Sequence, residues 1–182
     1  MVSLIIAIAI IFIIAIPKNQ KVIIPEYPNI NMKTTSIAFE NNQPIPTKYT
    51  ADGENINPQL KISEIPQEAK SLVLIVDDPD AKRVVGYTWI HWVAFDIPVE
   101  GDTLEIEENS NPGTPGESTY KKPEYGGPNP PAGSGTHNYN FKIYALDKTL
   151  DLSEMASLDS IQNEMKDHTL DQSILTGTYS RD

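Results

Sequence analysis

The run Ser71-Leu72-Val73-Leu74-Ile75-Val76 is apolar after its first residue and stops abruptly at Asp77-Asp78-Pro79-Asp80. A strand with one face in water would alternate, so an unbroken run of this kind suits a β-strand buried on both faces. The segment from Thr88 to Asp96 does alternate, with Trp89, His91, Val93 and Phe95 on one face and Ile90, Trp92 and Ala94 on the other. Both of its faces are apolar, which makes it a second central strand. The rest of the chain from Thr34 onward reads as short strands separated by turns. Ile37-Ala38-Phe39 opens the domain, and residues 44–57 form a loop around Asp52-Gly53. Residues 97–135 form a long loop region in which the acidic stretch from Glu100 to Glu108 is solvated. After a strand reaching Leu146, a helical turn is expected at Leu152–Met155. Asp159 then caps a helix that aligns Ile161, Met165 and His168. A last strand spans Ser173–Ser180 with Ile174-Leu175 inside and Gly177 allowing a close approach. The sum is a mainly β fold, a β-sandwich with one or two short C-terminal helices.

At 182 residues and 39% hydrophobic content the chain suits a single domain with a sizeable core. A net charge of −11 excludes a general nucleic-acid binder, whose phosphate affinity comes from clustered Lys and Arg. Without cysteine there are no disulfides, thiol nucleophiles or Cys-based zinc sites. Residues 1–16 form a hydrophobic segment which, as a helix over Val2–Ile16, would reach roughly 22 Å, short of a roughly 30 Å bilayer core. It is read as a signal or membrane anchor, with an extracytoplasmic, secreted or anchored domain favoured. Lys18 and Lys21 argue the other way, for a cytoplasm-facing domain. Residues 17–33, with three prolines, form an extended linker, and residues 34–182 form the folded domain.

The stretch from Gly126 to Gly135 is a Gly/Pro loop that delivers His137 directly into a strand, where His137, Tyr139, Phe141, Ile143 and Ala145 share one face. Asp78, Asp80, His91, His137 and Tyr139 all lie at strand ends or on core-facing sides, so a fold can gather them at one rim. Two imidazoles can donate to an anionic oxygen while a carboxylate sets their tautomer. Each residue also has a plainer reading. His91 alone fits a satisfied core histidine, Asp78-Pro79-Asp80 fits turn chemistry, and Trp89, Trp92 and Phe95 fit the core. His168 reads as surface. A metal site lacks ligand spacing, and a serine hydrolase lacks its Gly-x-Ser-x-Gly elbow, Gly133-Ser134-Gly135 being too short.

Four motifs in order, Lys48-Tyr49-Thr50-Ala51-Asp52-Gly53-Glu54-Asn55, Asp77-Asp78-Pro79-Asp80-Ala81, Trp89-Ile90-His91-Trp92 and Gly127-Pro128-Asn129-Pro130-Pro131 leading to Gly135-Thr136-His137-Asn138-Tyr139, resemble the phosphatidylethanolamine-binding protein family. The likeness covers residues 34–181 and points to the bacterial and archaeal Raf-kinase-inhibitor-like branch. It implies a β-sandwich with a small pocket for phosphate-like headgroups, at positions matching Asp78, Asp80, His91, Pro131, His137 and Tyr139. No metal and no cofactor are expected. Lys82 stands where many relatives carry proline, as does Gln59, and the C-terminal helix of animal members is reduced, so kinase regulation is not carried over. The function expected is a non-enzymatic binding protein for a small anionic or phosphorylated ligand. The alternative is an inhibitor or regulator of proteases or other proteins acting through the 109–124 loop. A hydrolase using Asp78 and His137 ranks last. Membrane contact falls to the N-terminal segment, and a dimer is compatible with the sequence.

Overall fold

The computed structural model describes residues 31–182. In chain order the strands are β1 (Lys33–Thr35), β2 (Gln43–Pro44), β3 (Leu60–Ser63), β4 (Ser71–Asp78), β5 (Trp89–Pro98), β6 (Thr103–Ile106), β7 (Thr114–Pro115), β8 (His137–Leu146) and β9 (Thr169–Tyr179). Two α-helices, α1 (Lys82–Val85) and α2 (Leu158–Met165), and a short 3-10 turn at Thr47–Tyr49 accompany them. The larger sheet has the order β2-β9-β8-β4-β5-β7 and the smaller the order β1-β3-β6. All pairings are antiparallel except the short one between β2 and β9.

β4 is buried along its whole length, as its apolar run demands, because β8 and β5 flank it and something covers each face. On the inner face Leu72, Leu74 and Val76 pack with Trp92, Phe141, Ile143, and Leu60 and Ile62 of the small sheet. On the outer face Val73 and Ile75 pack with Val93, Phe95, and Ile161 and Met165 of α2. α2 is thus held by one apolar stripe. Its N-cap is Ser157, whose Oγ accepts from the Ser160 N–H at 3.2 Å. Asp159, expected as the cap, sits in the first turn, where its charge suits the helix dipole.

Several sequence expectations are corrected by packing. The alternation assigned to 88–96 is broken by a β-bulge: Val76 pairs with Trp92 and Asp77 with Ile90, so His91 has no partner opposite it. Two residues then oppose one and the side chains change face. Ile90 joins Val93 and Phe95 on the outer face, while His91 and Trp89 turn to a cavity at the sheet's end. The acidic stretch 100–108 is not simply solvated, because Leu104 and Ile106 alternate out of it and Ile106 is buried in β6 against β3. The 109–124 segment, expected as an exposed loop, is fastened along β5: β7 pairs with Ala94 and Phe95, and Gly116 and Thr119 donate to Val93 and Ile90 carbonyls. Leu152–Met155 is a turn rather than helix, with Met155 at φ 59°. His168 lies past α2 and its Nδ1 meets Asp147 Oδ1 at 2.8 Å. The first strand is Lys33–Thr35, and Ile37 is exposed while Phe39 is buried. In β9, Leu175 is buried but Ile174, one residue away on the opposite face, is half exposed. Gly177 does meet a close neighbour, since a Cβ there would lie 2.4 Å from Ile45 Cγ1.

The hydrophobic helix expected over residues 1–16, and linker residues 17–30, lie outside the described residues. Among the described residues no helix is long and apolar enough to cross a membrane.

Candidate functional site

Three pieces of chain meet where β4, β5 and β8 end. β4 ends in Asp78, whose Oδ1 accepts from the Ala81 N–H at 3.0 Å and so shapes the turn into α1. Asp78 Oδ2 takes the Nδ1 of His137, the first residue of β8, at 2.7 Å. Turn chemistry and site chemistry are therefore the same carboxylate. Both side chains are almost wholly buried, and a buried pair of this kind holds the imidazole in one tautomer and orientation. His137 Nε2 lies 3.2 Å from Ser134 Oγ, which also donates to the Pro131 carbonyl at 2.7 Å.

The bulge in β5 supplies the second imidazole. His91 Nδ1 donates to the Gly126 carbonyl at 2.7 Å, and Gly126 N–H donates back to the His91 carbonyl at 3.1 Å. Burial pushes the His91 imidazole below the usual histidine range, and the Gly126 carbonyl and the charge of Asp78 oppose that only in part. Its ring stands edge-on to Tyr139 and Tyr120, with centroids 5.2 Å and 5.7 Å away.

These groups line a cavity of about 350 Å³. Asp78, His91 and His137 form its polar wall with Tyr120 and Asn129, while Ala81, Val84, Val85, Trp89, Pro130 and Pro131 form the apolar remainder. Of the six residues expected at the site, Asp78, His91, Pro131 and His137 line it. Tyr139 is buried behind the two imidazoles and its hydroxyl comes near Asp78 without meeting hydrogen-bond geometry. Burial first, and then the Asp78 charge, drive that phenol far above the ordinary tyrosine range. Asp80 is outside the cavity: its Oδ2 accepts from the backbone and side-chain N–H groups of Asn138 at 2.8 and 2.7 Å, and its Oδ1 from Arg83 at 2.9 Å. It braces the start of β8 from behind.

Trp89, expected in the core, lines the cavity, its indole edge-on to Tyr120. Its Nε1 lies near the Tyr120 hydroxyl but is buried with no hydrogen-bond partner. Sequence reasoning passed over Tyr120, Asn129 and α1. The exposed Val84 and Val85 next to the aspartate turn were the one signal that an apolar lip stood there.

The Lys48–Asn55 motif contributes no residue to the cavity wall and instead fastens the Gly/Pro loop. Ala51 N–H donates to the Pro128 carbonyl at 3.0 Å and Gly127 N–H to Asn55 Oδ1 at 2.8 Å. Asp52 pairs bidentately with Arg181 at 2.5 and 2.6 Å, and the Arg181 carbonyl accepts from Gly133 N–H at 3.2 Å. Gly127 sits so close to this brace that a Cβ would lie 2.4 Å from the Tyr49 carbonyl oxygen. Gly127→Ala is expected to destabilise the domain by about 1–3 kcal/mol, the usual cost of overpacking. Equilibrium urea unfolding checks this, and an unchanged midpoint would mean that the loop moves freely.

A sandwich of two sheets, with a small cavity at the ends of its central strands and histidines in the polar wall, defines a β-sandwich binding protein. The family model described as phosphatidylethanolamine-binding protein matches residues 35–180. The chain belongs to this family, in its bacterial and archaeal branch. It is 43% identical over 160 residues to a UPF0098 protein of Methanothermobacter thermautotrophicus, covering 84% of this chain and 99% of that one. It is 41% identical over 158 residues to a UPF0098 protein of Pyrococcus horikoshii, covering 84% and 78%. Among solved structures, a phosphatidylethanolamine-binding protein homologue of Chlamydia trachomatis is 37% identical with a TM-score of 0.76, over 83% of this chain and 98% of that one. E. coli YbcL, at 23% identity and a TM-score of 0.74, shares the fold.

Proposed function

We propose that this domain is a non-enzymatic binding protein whose cavity holds the phosphate-like group of a small ligand. The observation that carries this reading is the convergence of His91 and His137 on one cavity, each imidazole committed through Nδ1 to a fixed partner, with His91 Nε2 left for other contacts and His137 Nε2 beside Ser134 Oγ at 3.2 Å. Preset rings of this kind meet a ligand without an ordering cost at the moment of binding. The apolar walls from buried Ala81 and Pro130 lower the local dielectric and strengthen any hydrogen bond made inside, while Val84 and Val85 form an exposed lip. The family's name supports a phosphate headgroup as the ligand chemistry.

Calorimetric titration of phosphoethanolamine tests the reading. His137→Ala is expected to weaken binding by roughly tenfold or more, the scale of one charge-assisted hydrogen bond. His137→Gln, whose amide can still donate to Asp78, keeps the fold and is expected to lose affinity as well. Equal affinity in the wild type and a folded variant would sink the proposal.

A further inference from the structure

The cavity's hydrogen-bond inventory restricts the protonation state of what it can hold. Resting on the anion-binding reading above, we infer that the cavity selects a phosphoryl group that still carries a proton, whose P–OH donates to His91 Nε2. The Gly126 carbonyl can only accept, so the Nδ1 that meets it at 2.7 Å carries the ring hydrogen. In a neutral imidazole the other nitrogen is then a lone-pair acceptor. A fully deprotonated anion has no hydrogen to offer it and would set oxygen lone pairs against a nitrogen lone pair.

The surroundings keep His91 from escaping this by taking a second proton. His91 is 3% exposed, and the groups around its ring are the Asp78 carboxylate of β4, the Tyr139 ring of β8, the Tyr120 ring, and the Gly126 and Gly127 backbone, with Asp77 further off and His137 on the same cavity wall. Desolvation outweighs the two carboxylates in that set.

Charge points the same way. No lysine or arginine lines the cavity, and Asp78 is its one carboxylate. A dianion would enter an apolar space beside the Asp78 carboxylate, and Arg181, which reaches the Pro130 carbonyl at 3.4 Å, is already paired with Asp52. A monoanion with one P–OH meets both limits: its hydrogen goes to His91, and its other oxygens accept from donors in the cavity wall such as Tyr120 O–H and the Asn129 amide. Sulfate, and phosphodiesters without a donor hydrogen, have the size and charge to enter but lack that hydrogen.

The test is a competition panel on the wild-type protein, with methyl phosphate, inorganic phosphate, sulfate and dimethyl phosphate titrated between about pH 5.5 and 8. Methyl phosphate loses its second proton near pH 6. Its affinity is expected to fall toward roughly tenfold per pH unit above that point. Sulfate and dimethyl phosphate are expected to bind at least about tenfold more weakly than methyl phosphate at pH 6. Sulfate binding as well as methyl phosphate would overturn the selection for a protonated phosphoryl group while leaving the anion-binding reading in place. Binding of neither phosphate at any pH would overturn both. Nitrogen NMR of the His91 ring in the methyl phosphate complex adds a readout independent of affinity. An unprotonated Nε2 is expected there, and a doubly protonated ring would overturn the inference even if the panel behaved as expected.

Discussion

Asp78→Ala is expected to lower the stability of the domain by about 1–3 kcal/mol, the cost of leaving buried hydrogen-bonding groups without their partner. Asp78 and His137 are 2.7 Å apart with side chains 5% and 1% exposed, so neither can turn to water when the other is lost. The same substitution also strands the Ala81 N–H, which donates to Asp78 Oδ1 and sets the turn into α1. Asp78→Asn keeps an acceptor for Ala81 and is expected to cost less. The double variant with His137→Ala is expected to fall well short of the summed single costs, because the second change removes a group the first has already left unpaired. Urea unfolding of the four proteins completes the cycle. A loss below about 1 kcal/mol for Asp78→Ala would place the pair with solvated surface bridges instead.

Acid is expected to weaken the fold through His91. Burial lowers its folded-state pKa below the ordinary 6.5, so as pH falls through about 6.5 the unfolded chain takes up a proton that the folded chain refuses. The contribution of neutral His91 is therefore complete above the unfolded value and is lost as pH falls toward the depressed folded one. In that window the slope approaches about 1.4 kcal/mol per pH unit for this one proton. His91→Gln, which can still donate to Gly126, is expected to remove that component. The difference between wild-type and variant stability from pH 7.5 down to pH 5 isolates it from the other histidines. Parallel curves would show that His91 titrates alike in both states.

Much of the sandwich was legible because burial writes itself into side-chain type. The unbroken apolar run of β4 announced a strand covered twice, and the alternation of His137, Tyr139, Phe141 and Ile143 announced which face of β8 met the core. What failed was local register. Nothing in Trp89-Ile90-His91-Trp92 signals that His91 is the extra residue of a bulge, since a bulge is decided by how two strands pair. Short edge elements such as β6 and β7 were missed for a related reason. Each holds too few residues to show a period, and only its partner strand makes it a strand.

The candidate site divides along the same line. The chain's chemistry alone nominated Asp78, His91 and His137, because a carboxylate at a strand mouth and imidazoles on core-facing positions are costly to bury without a use. Their mutual geometry came only with the fold, which set Nδ1 of His137 on Asp78 and Nδ1 of His91 on Gly126. The fold also moved Asp80 and Tyr139 out of the cavity wall, into support of β8 and of the imidazoles. The Lys48–Asn55 motif became a brace for the Gly/Pro loop. Residue type determines what a side chain can do in a dry cavity, whereas which of its atoms faces that cavity depends on contacts between segments far apart in the chain.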